Sequence, residues 1–343
     1  MFGLFRYAIL RLLGRHKTLF ISPPPCFVHD VGSRHPEAVG RLEALERALW
    51  AQNVWPSLYI SQAEPVSEVQ LSRVHMPKYI RSLEATVPPP GKISRLDDDT
   101  VMSHDTLTAA RYASGAVVKA VRRVLNNKAP NAFCAVRPPG HHAGSDKAGG
   151  FCFFNHVAVG AMYALAEFRI KRIAIVDFDI HHGDGTEEIF RNDERVMLLS
   201  LNQPDLYPFQ REAQPGSNPN RILSNVGAGL DSETFRDLVK QQWLPSLRRF
   251  RPELILLSAG FDAHRDDSMA YGELQDADYA WIAHKLMQEA NRSCGGRLVS
   301  VLEGGYDLGS LARSVAAHVY VLAGLGKPSC VKAYEHQKRL GAS

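Results

Sequence analysis

The run Asp177-Phe178-Asp179-Ile180-His181-His182 sets acids and imidazoles at alternate positions. Along an extended chain alternate residues face one side, so Asp177, Asp179 and His181 can point together. An Asp and a His two apart can reach one divalent ion. A distant carboxylate would complete a one-His, two-carboxylate set with open positions, the arrangement of a catalytic rather than a structural zinc site. Asp262, in Ser258-Ala259-Gly260-Phe261-Asp262-Ala263-His264, is the natural third ligand. The competing reading makes these acids caps of glycine-rich turns and helix starts, and Asp184, ahead of Thr186 and Glu187, is well placed for that.

Three further motifs carry possible chemistry. Arg137-Pro138-Pro139-Gly140-His141-His142 offers adjacent histidines on a loop stiffened by two prolines, as a general base requires. Asp177 and Asp184 are available to orient those rings, fix their tautomers and raise their basicity. Glu303-Gly304-Gly305-Tyr306-Asp307 would bring a phenol to the site, where it can stabilise an oxyanion; a plain core or rim tyrosine is the alternative. Gly149-Gly150-Phe151-Cys152-Phe153-Phe154-Asn155 can line a narrow apolar tube. Phe153 and Phe154 read better as the core face of the next helix, and Cys152 as a buried inert thiol.

Elements able to position these motifs are legible. Apolar, β-branched runs occupy Asn131–Val136, Arg172–Phe178, Val196–Leu201, Leu254–Leu257 and Arg297–Leu302. Helical patterns occupy Glu37–Gln52, Asp105–Asn126, Asn155–Glu167, Glu187–Arg191, Ser232–Phe250, Asp276–Asn291 and Leu308–Ala323. Short apolar strands alternating with longer amphipathic helices predict βαβ units and a parallel sheet buried on both faces. Four of the motifs, at 137–142, 177–182, 258–264 and 303–307, follow four of the strands, and ligands of open parallel sheets bind at strand carboxyl ends.

Bulk properties narrow the class. The 343 residues are 45% hydrophobic and 22% charged, a globular composition that fits one large domain. A formal net charge of +4 is no nucleic-acid signature, and no direct nucleic-acid partner is expected. Five cysteines without a CxxC pair argue against disulfides and a thiolate metal site, and for a reducing, cytoplasmic setting. Residues 1–17 carry Arg6, Arg11, Arg15 and Lys17 and no acid, in an amphipathic pattern too short in its apolar run to span a membrane. They read as a frayed or locally packed extension; contact with a membrane surface, a partner or a targeting receptor is the alternative.

With these motifs in order, the chain resembles the zinc-dependent histone deacetylase superfamily, which includes acetylpolyamine amidohydrolases. The resemblance rests on RHPE at 34–37, RPPGHHA at 137–143, GGFCFFN at 149–155, DFDIHHGDGT at 177–186, SAGFDAH at 258–264 and LEGGYD at 302–307, and covers roughly 19–325. It implies a single arginase/deacetylase-like α/β domain with a central, mostly parallel sheet and helices on both faces. The implied boundaries are an extension over 1–17, the domain over 18–325 and a tail over 326–343. It implies Zn2+ on Asp179, His181 and Asp262. It implies His142 as general base paired with Asp184, His141 paired with Asp177, and Tyr306 polarising the carbonyl. Gly150 would meet the substrate amide through its carbonyl, and Phe151 would form a tunnel wall. A structural K+ near Asp177, Asp179, His181, Ser200 and Leu201 is also implied.

Some positions depart from relatives. RHPE and LEGGYD resemble the class II and bacterial branch, yet Asp184 stands where many class II members carry Asn. The segment Leu206-Tyr207-Pro208-Phe209 lacks the usual paired aromatics, so Tyr207 or Phe209 is expected as the opposite wall. A substrate-positioning acid is expected in Asp97-Asp98-Asp99, with Asp98 and Asp99 the candidates. The expected reaction is hydrolysis of an N-acyl amide, foremost acetyl-lysine in proteins or peptides. The alternatives are an acetylated small amine such as a polyamine, a longer acyl chain, a catalytically retired acyl-lysine binding module, and a two-metal manganese hydrolase. A homo-oligomer is possible.

Overall fold

A computed structural model describes residues 17–32, 35–210 and 212–341. The N-terminal extension therefore lies outside the described residues, apart from Lys17. Eight strands form one sheet: β1 (Thr18–Ile21), β2 (Leu58–Ile60), β5 (Asn131–Cys134), β6 (Ile173–Asp177), β7 (Val196–Asn202), β8 (Arg221–Asn225), β9 (Leu254–Ala259) and β10 (Leu298–Leu302). A small antiparallel pair, β3 (Ile93–Arg95) and β4 (Val101–Ser103), stands apart. The large sheet runs in the order β2-β1-β5-β10-β9-β6-β7-β8, and every pairing in it is parallel.

Strands β6, β9 and β10 are buried along their whole length, as strands covered on both faces must be. Helix Leu308–Leu322 packs between Gly40–Ala51 and Asp276–Ser293, and Thr106–Leu125 packs on His156–Glu167. The fold class read from the alternation is thus the observed one, and the five predicted strands all form. Sequence patterning missed β1, β2 and β8, which are short or lie toward the sheet's edges, and helices Pro77–Thr86 and Ser329–Gly341. The expected tail beyond 325 contains the last of these helices, which packs on Asp276–Ser293. The helix expected over 232–250 is interrupted by a π-helical turn at Val239–Trp243. Pro245 has no N–H for the regular ladder, and the wider turn accommodates it. No helix among the described residues is long and apolar enough to cross a membrane.

The strand order explains why distant motifs meet. β5, β10, β9 and β6 are consecutive neighbours at the sheet's centre, and each ends in one of the four motif-bearing segments. Their carboxyl ends form a single rim.

Behind that rim lies a buried ion knot. Glu37 accepts from Arg137 Nε at 2.5 Å and Nη2 at 2.7 Å, from Arg41 Nη1 at 3.0 Å, and faces His29 Nε2 at 3.1 Å. Arg41 also donates from Nε to the Gly305 carbonyl at 2.6 Å and from Nη2 to the Glu303 carbonyl. Burial alone would raise the Glu37 carboxyl, but Arg137, His29 and Arg41 hold it down at about 2. A folded pKa below the ordinary carboxylate value contributes stability that is complete above about pH 4.5 and is lost as pH falls toward 2. Glu37→Gln would leave two guanidinium groups buried without their carboxylate. We expect urea unfolding at pH 7 to find that variant about 3–5 kcal/mol less stable, with the gap to wild type narrowing below pH 4.5. A loss under about 1 kcal/mol would refute this account of the knot.

Candidate metal and catalytic site

Asp179, His181 and Asp262 converge: one ligand atom from each lies within 4.8 Å of the other two, and all three residues are buried. His181 Nδ1 sits 3.2 Å from Asp179 Oδ1 and 3.0 Å from Asp262 Oδ2. Asp179 Oδ2 accepts from the Gly304 N–H at 2.8 Å, and Asp262 Oδ1 from the Ile180 N–H at 3.2 Å. A side chain at Gly304 would overlap the facing oxygens of both acids, so the glycine is required for this close approach. Burial, reinforced by the Asp179 charge, pushes Asp262 up to about 7. Burial disfavours charge on His181 too, but Asp262 and Asp179 drive it up to about 10. Two buried carboxylates thus draw positive charge to the place where a metal ion would sit. The donor set fits a divalent ion of the zinc type, with one imidazole, two carboxylates and no thiolate.

Two histidine–carboxylate pairs flank the cluster. His141 Nδ1 lies 3.0 Å from Asp177 Oδ2, and His142 Nδ1 lies 2.8 Å from Asp184 Oδ1. The two rings touch at a tilt of 47°, with centroids 4.0 Å apart. Their surroundings separate them electrostatically. Burial works against charge on His141, but Asp177 and Asp179 outweigh it and hold the imidazole well above its ordinary range. Burial and the His141 charge push His142 down to about 4. Asp184 is the first residue of helix Asp184–Phe190 and makes no side-chain cap there, so its carboxylate serves His142 instead. The capping role considered for it does not occur.

Several residues without an assigned role in the sequence hold this array. Glu303 is fully buried and accepts from the Gly140 and His141 N–H groups at 2.6 and 3.2 Å and from the Ser258 hydroxyl at 3.1 Å. Asn155 caps helix His156–Glu167 through its oxygen and donates from its nitrogen to the Ala143 carbonyl at 3.1 Å. Asp267 accepts the N–H groups of Tyr306 and Asp307 at 2.6 and 3.1 Å. His182 is buried between Ser200 Oγ at 2.9 Å and Glu187 Oε2 at 3.0 Å. Glu187 in turn binds Gln210 and the Gln214 backbone, both on the loop that carries Tyr207. Glu303, Asn155 and His182 fall inside quoted motifs; Asp267 and Glu187 do not, and only the fold reveals their partners.

A cavity of about 90 Å³ opens onto His142 and His181 and is lined by Asp99, Gly150, Phe151, Tyr207, Met269 and Tyr306. Gly150 and Phe151 both adopt positive φ, 51° and 68°, which turns the Phe151 ring edge-on to Tyr306 with centroids 5.9 Å apart. Tyr207 meets His142 edge-on at 4.8 Å. Phe209 is 70% exposed and is not among the lining residues, so of the two candidates for the opposite wall Tyr207 takes the place. In an extended chain the two would share a face, but Phe209 N–H donates to the Leu206 carbonyl at 2.7 Å and its φ is 63°, a turn that breaks the alternation. Asp97 is consumed by its own turn, accepting from the Asp99 and Thr100 N–H groups at 2.9 and 2.5 Å. Asp99 lines the inner cavity; Asp98 reaches only an outer basin of about 550 Å³. Cys152 is buried, its thiol pushed well above the ordinary range by burial and its Sγ facing the Gly150 carbonyl at 3.3 Å, as expected of an inert thiol. Ser200 and Leu201 lie on β7, with Ser200 opposite Asp177 of β6; the Ser200 hydroxyl donates to the Leu201 carbonyl at 3.2 Å.

The same arrangement of elements occurs in known proteins. The crystal structure of the HDA15 HD domain matches with a TM-score of 0.82 at 30% sequence identity, covering 92% of each chain. A probable deacetylase of Archaeoglobus fulgidus is 34% identical over 86% of this chain and 83% of its own length. The histone deacetylase-like amidohydrolase of Pseudomonas aeruginosa is 33% identical over 84% of this chain and 75% of its own. Type-2 histone deacetylase 2 of Dictyostelium discoideum is 34% identical over 90% of this chain, which spans only 21% of that longer protein. The family profile described as the histone deacetylase domain matches residues 35–322. The chain belongs to the histone deacetylase family.

Proposed function

We propose that this protein is a zinc-dependent amidohydrolase that removes the acetyl group from acetyl-lysine in proteins or peptides, releasing acetate. The observation that carries the reading is the buried Asp179–His181–Asp262 set facing a narrow cavity, with a charged and a neutral histidine beside it. Bound zinc would supply Lewis acidity, polarising the acyl carbonyl and rendering water acidic enough to attack near neutral pH.

The chain's own groups divide the remaining work. His142 Nδ1 faces Asp184, which leaves Nε2 as the lone pair free to take a proton from the attacking water. His141, kept charged by Asp177, stabilises negative charge as it develops. Burial holds the Tyr306 phenol well above its ordinary range, so it stays protonated and can donate to the carbonyl oxygen. Protonated His142 then returns its proton to the leaving amine. The Gly150 carbonyl would accept the substrate amide N–H, Phe151 and Tyr207 would sandwich the lysine stem, and Asp99 at the mouth would hold the flanking backbone; all four line the cavity. A monovalent cation such as K+ among Asp177, Asp179, His181, Ser200 and Leu201 would have a structural role only; the facing of Asp177 and Ser200 across β6 and β7 supports it.

A specific feature favours a peptide over a free polyamine. The outer basin shares Asp99, Phe151 and Met269 with the inner cavity, and its volume of about 550 Å³ leaves room for residues flanking the acylated lysine.

We expect elemental analysis of purified protein to give one zinc per chain, and Asp262→Ala to bind almost none; two transition metals per chain would instead support a two-metal hydrolase. We expect Tyr306→Phe to keep its metal and lose about 10²-fold or more in kcat, and His142→Ala to be nearly inactive with metal content intact. Near wild-type turnover in either would remove that residue from the mechanism. Finally, kcat/KM compared across acetyl-lysine peptides, acetylated polyamines and longer acyl-lysines should be highest for the acetyl peptides. Hydrolysis of none of them would leave a binding module as the surviving reading.

A further inference from the structure

The connection from β7 to β8 carries Tyr207 to the cavity, and burial does little to hold it there: Glu212, Ala213, Gln214, Pro215 and Gly216 are all exposed. Its polar attachments centre on one carboxylate outside the cavity. Glu187 is 1% exposed, and each of its oxygens meets two partners. Oε2 lies 3.0 Å from His182 Nε2 and accepts from Gln210 Nε2 at 2.7 Å. Oε1 accepts from the Gln214 N–H at 3.0 Å and from Arg221 Nη1 at 2.9 Å. The acceptor sites of the carboxylate are thereby filled. Burial works to raise this carboxyl, but His182, Gln210 and Arg221 outweigh it and hold it below the ordinary range.

Two of these partners belong to the body of the protein and two to the loop. His182 is braced from β7 by Ser200 Oγ at 2.9 Å, and Arg221 opens β8. Arg221 also donates to the carbonyls of Gln214 at 2.8 Å and Gly216 at 3.4 Å. Glu187 stands three residues after Asp184 in the first turn of helix Asp184–Phe190, and Asp184 bonds His142. Tyr207 meets the same His142 edge-on. Its ring lies so close to Gly149 and Gly150 that a Cβ on either would come within 2.6 and 2.9 Å of it. One helical turn therefore holds both the proton acceptor and the wall beside it.

We propose that Glu187 is a positioning residue for substrate binding: it fastens the loop so that Tyr207 stays against His142 and Gly150, and it thereby sets the affinity for the acylated stem without touching the reacting atoms. The assignment rests on the hydrolase reading above. Tyr207 would contact the stem in the bound substrate and in the transition state alike. Loss of such uniform binding raises KM and leaves kcat in place. A residue that merely stabilised the fold would lower the amount of active enzyme and leave KM unchanged.

The test compares Glu187→Ala, Glu187→Gln, Tyr207→Ala and the double variant Glu187→Ala with Tyr207→Ala on an acetyl-lysine peptide, with zinc content measured in each. We expect Glu187→Ala to raise KM about three- to tenfold, as loss of an aromatic contact would, with kcat within about twofold of wild type and zinc unchanged. Glu187→Gln keeps an oxygen for the Gln214 N–H and should recover part of the loss. The double variant should bind no worse than Tyr207→Ala alone, because coupled residues are non-additive. Hydrogen exchange at the Gln214 amide should be at least about tenfold faster in Glu187→Ala, while β6 and β7 keep their protection. If Glu187→Ala does not fold, Gln210→Leu removes one strut from the loop side and should raise KM in the same direction. An unchanged KM, a loss confined to kcat, or additive effects of Glu187→Ala and Tyr207→Ala would overturn the proposal. The exchange measurement needs no turnover: a wild type that hydrolyses no acyl-amide would refute the hydrolase reading, whereas unchanged Gln214 exchange would refute the fastening itself.

Discussion

The structure is organised around buried negative charge at one rim. Asp177, Asp179, Asp262 and Glu303 are all fully buried, on or just beyond the ends of three adjacent strands, β6, β9 and β10. Burying ionised carboxylates costs several kcal/mol each unless they are met by counter-charge and hydrogen bonds. The chain meets the cost with His141 and His181, with the N–H groups of Gly140, His141, Ile180 and Gly304, and with the Ser258 hydroxyl. A dication at Asp179, His181 and Asp262 would complete the compensation. The glycines of the rim follow from the same constraint: Gly304 can have no side chain because two carboxylates occupy its space.

Two other buried glutamates transmit this order outward. Glu37 grips Arg137, which opens the His141–His142 loop, and Arg41, which holds the Glu303 and Gly305 carbonyls on either side of Gly304. One acid thereby couples the loop with the histidines to the loop with Tyr306. Glu187 does the same for the far wall, linking His182 to the segment that carries Tyr207. Neither glutamate lines the cavity, yet each fixes the relative positions of groups that do.

The adjacent histidines show how environment assigns roles that residue type leaves open. Both are buried and both face a carboxylate. His141 has the further field of Asp179 and stays charged, and its charge helps to keep His142 neutral. A proton acceptor and a fixed cation thus arise from two identical side chains in contact.

Residue spacing determined a good deal by itself. The alternation of apolar runs and amphipathic helices specified a parallel sheet, because strands buried on both faces must be apolar throughout. The Asp179–His181 spacing specified a pair able to reach one divalent ion, because alternate residues of an extended chain share a side. Only the tertiary structure decided the rest. The strand order brought Asp262 within 4.8 Å of that pair, from over eighty positions away. It bonded Asp184 to His142 where its position ahead of a helix suggested a cap. A positive-φ turn gave Tyr207 the cavity wall and sent Phe209 into solvent, and a local turn absorbed Asp97 and left Asp99 at the mouth. Periodicity reports which way a side chain leaves the backbone within one element. Which groups then meet depends on strand order and loop turns, and those are settled by the packing of the whole chain.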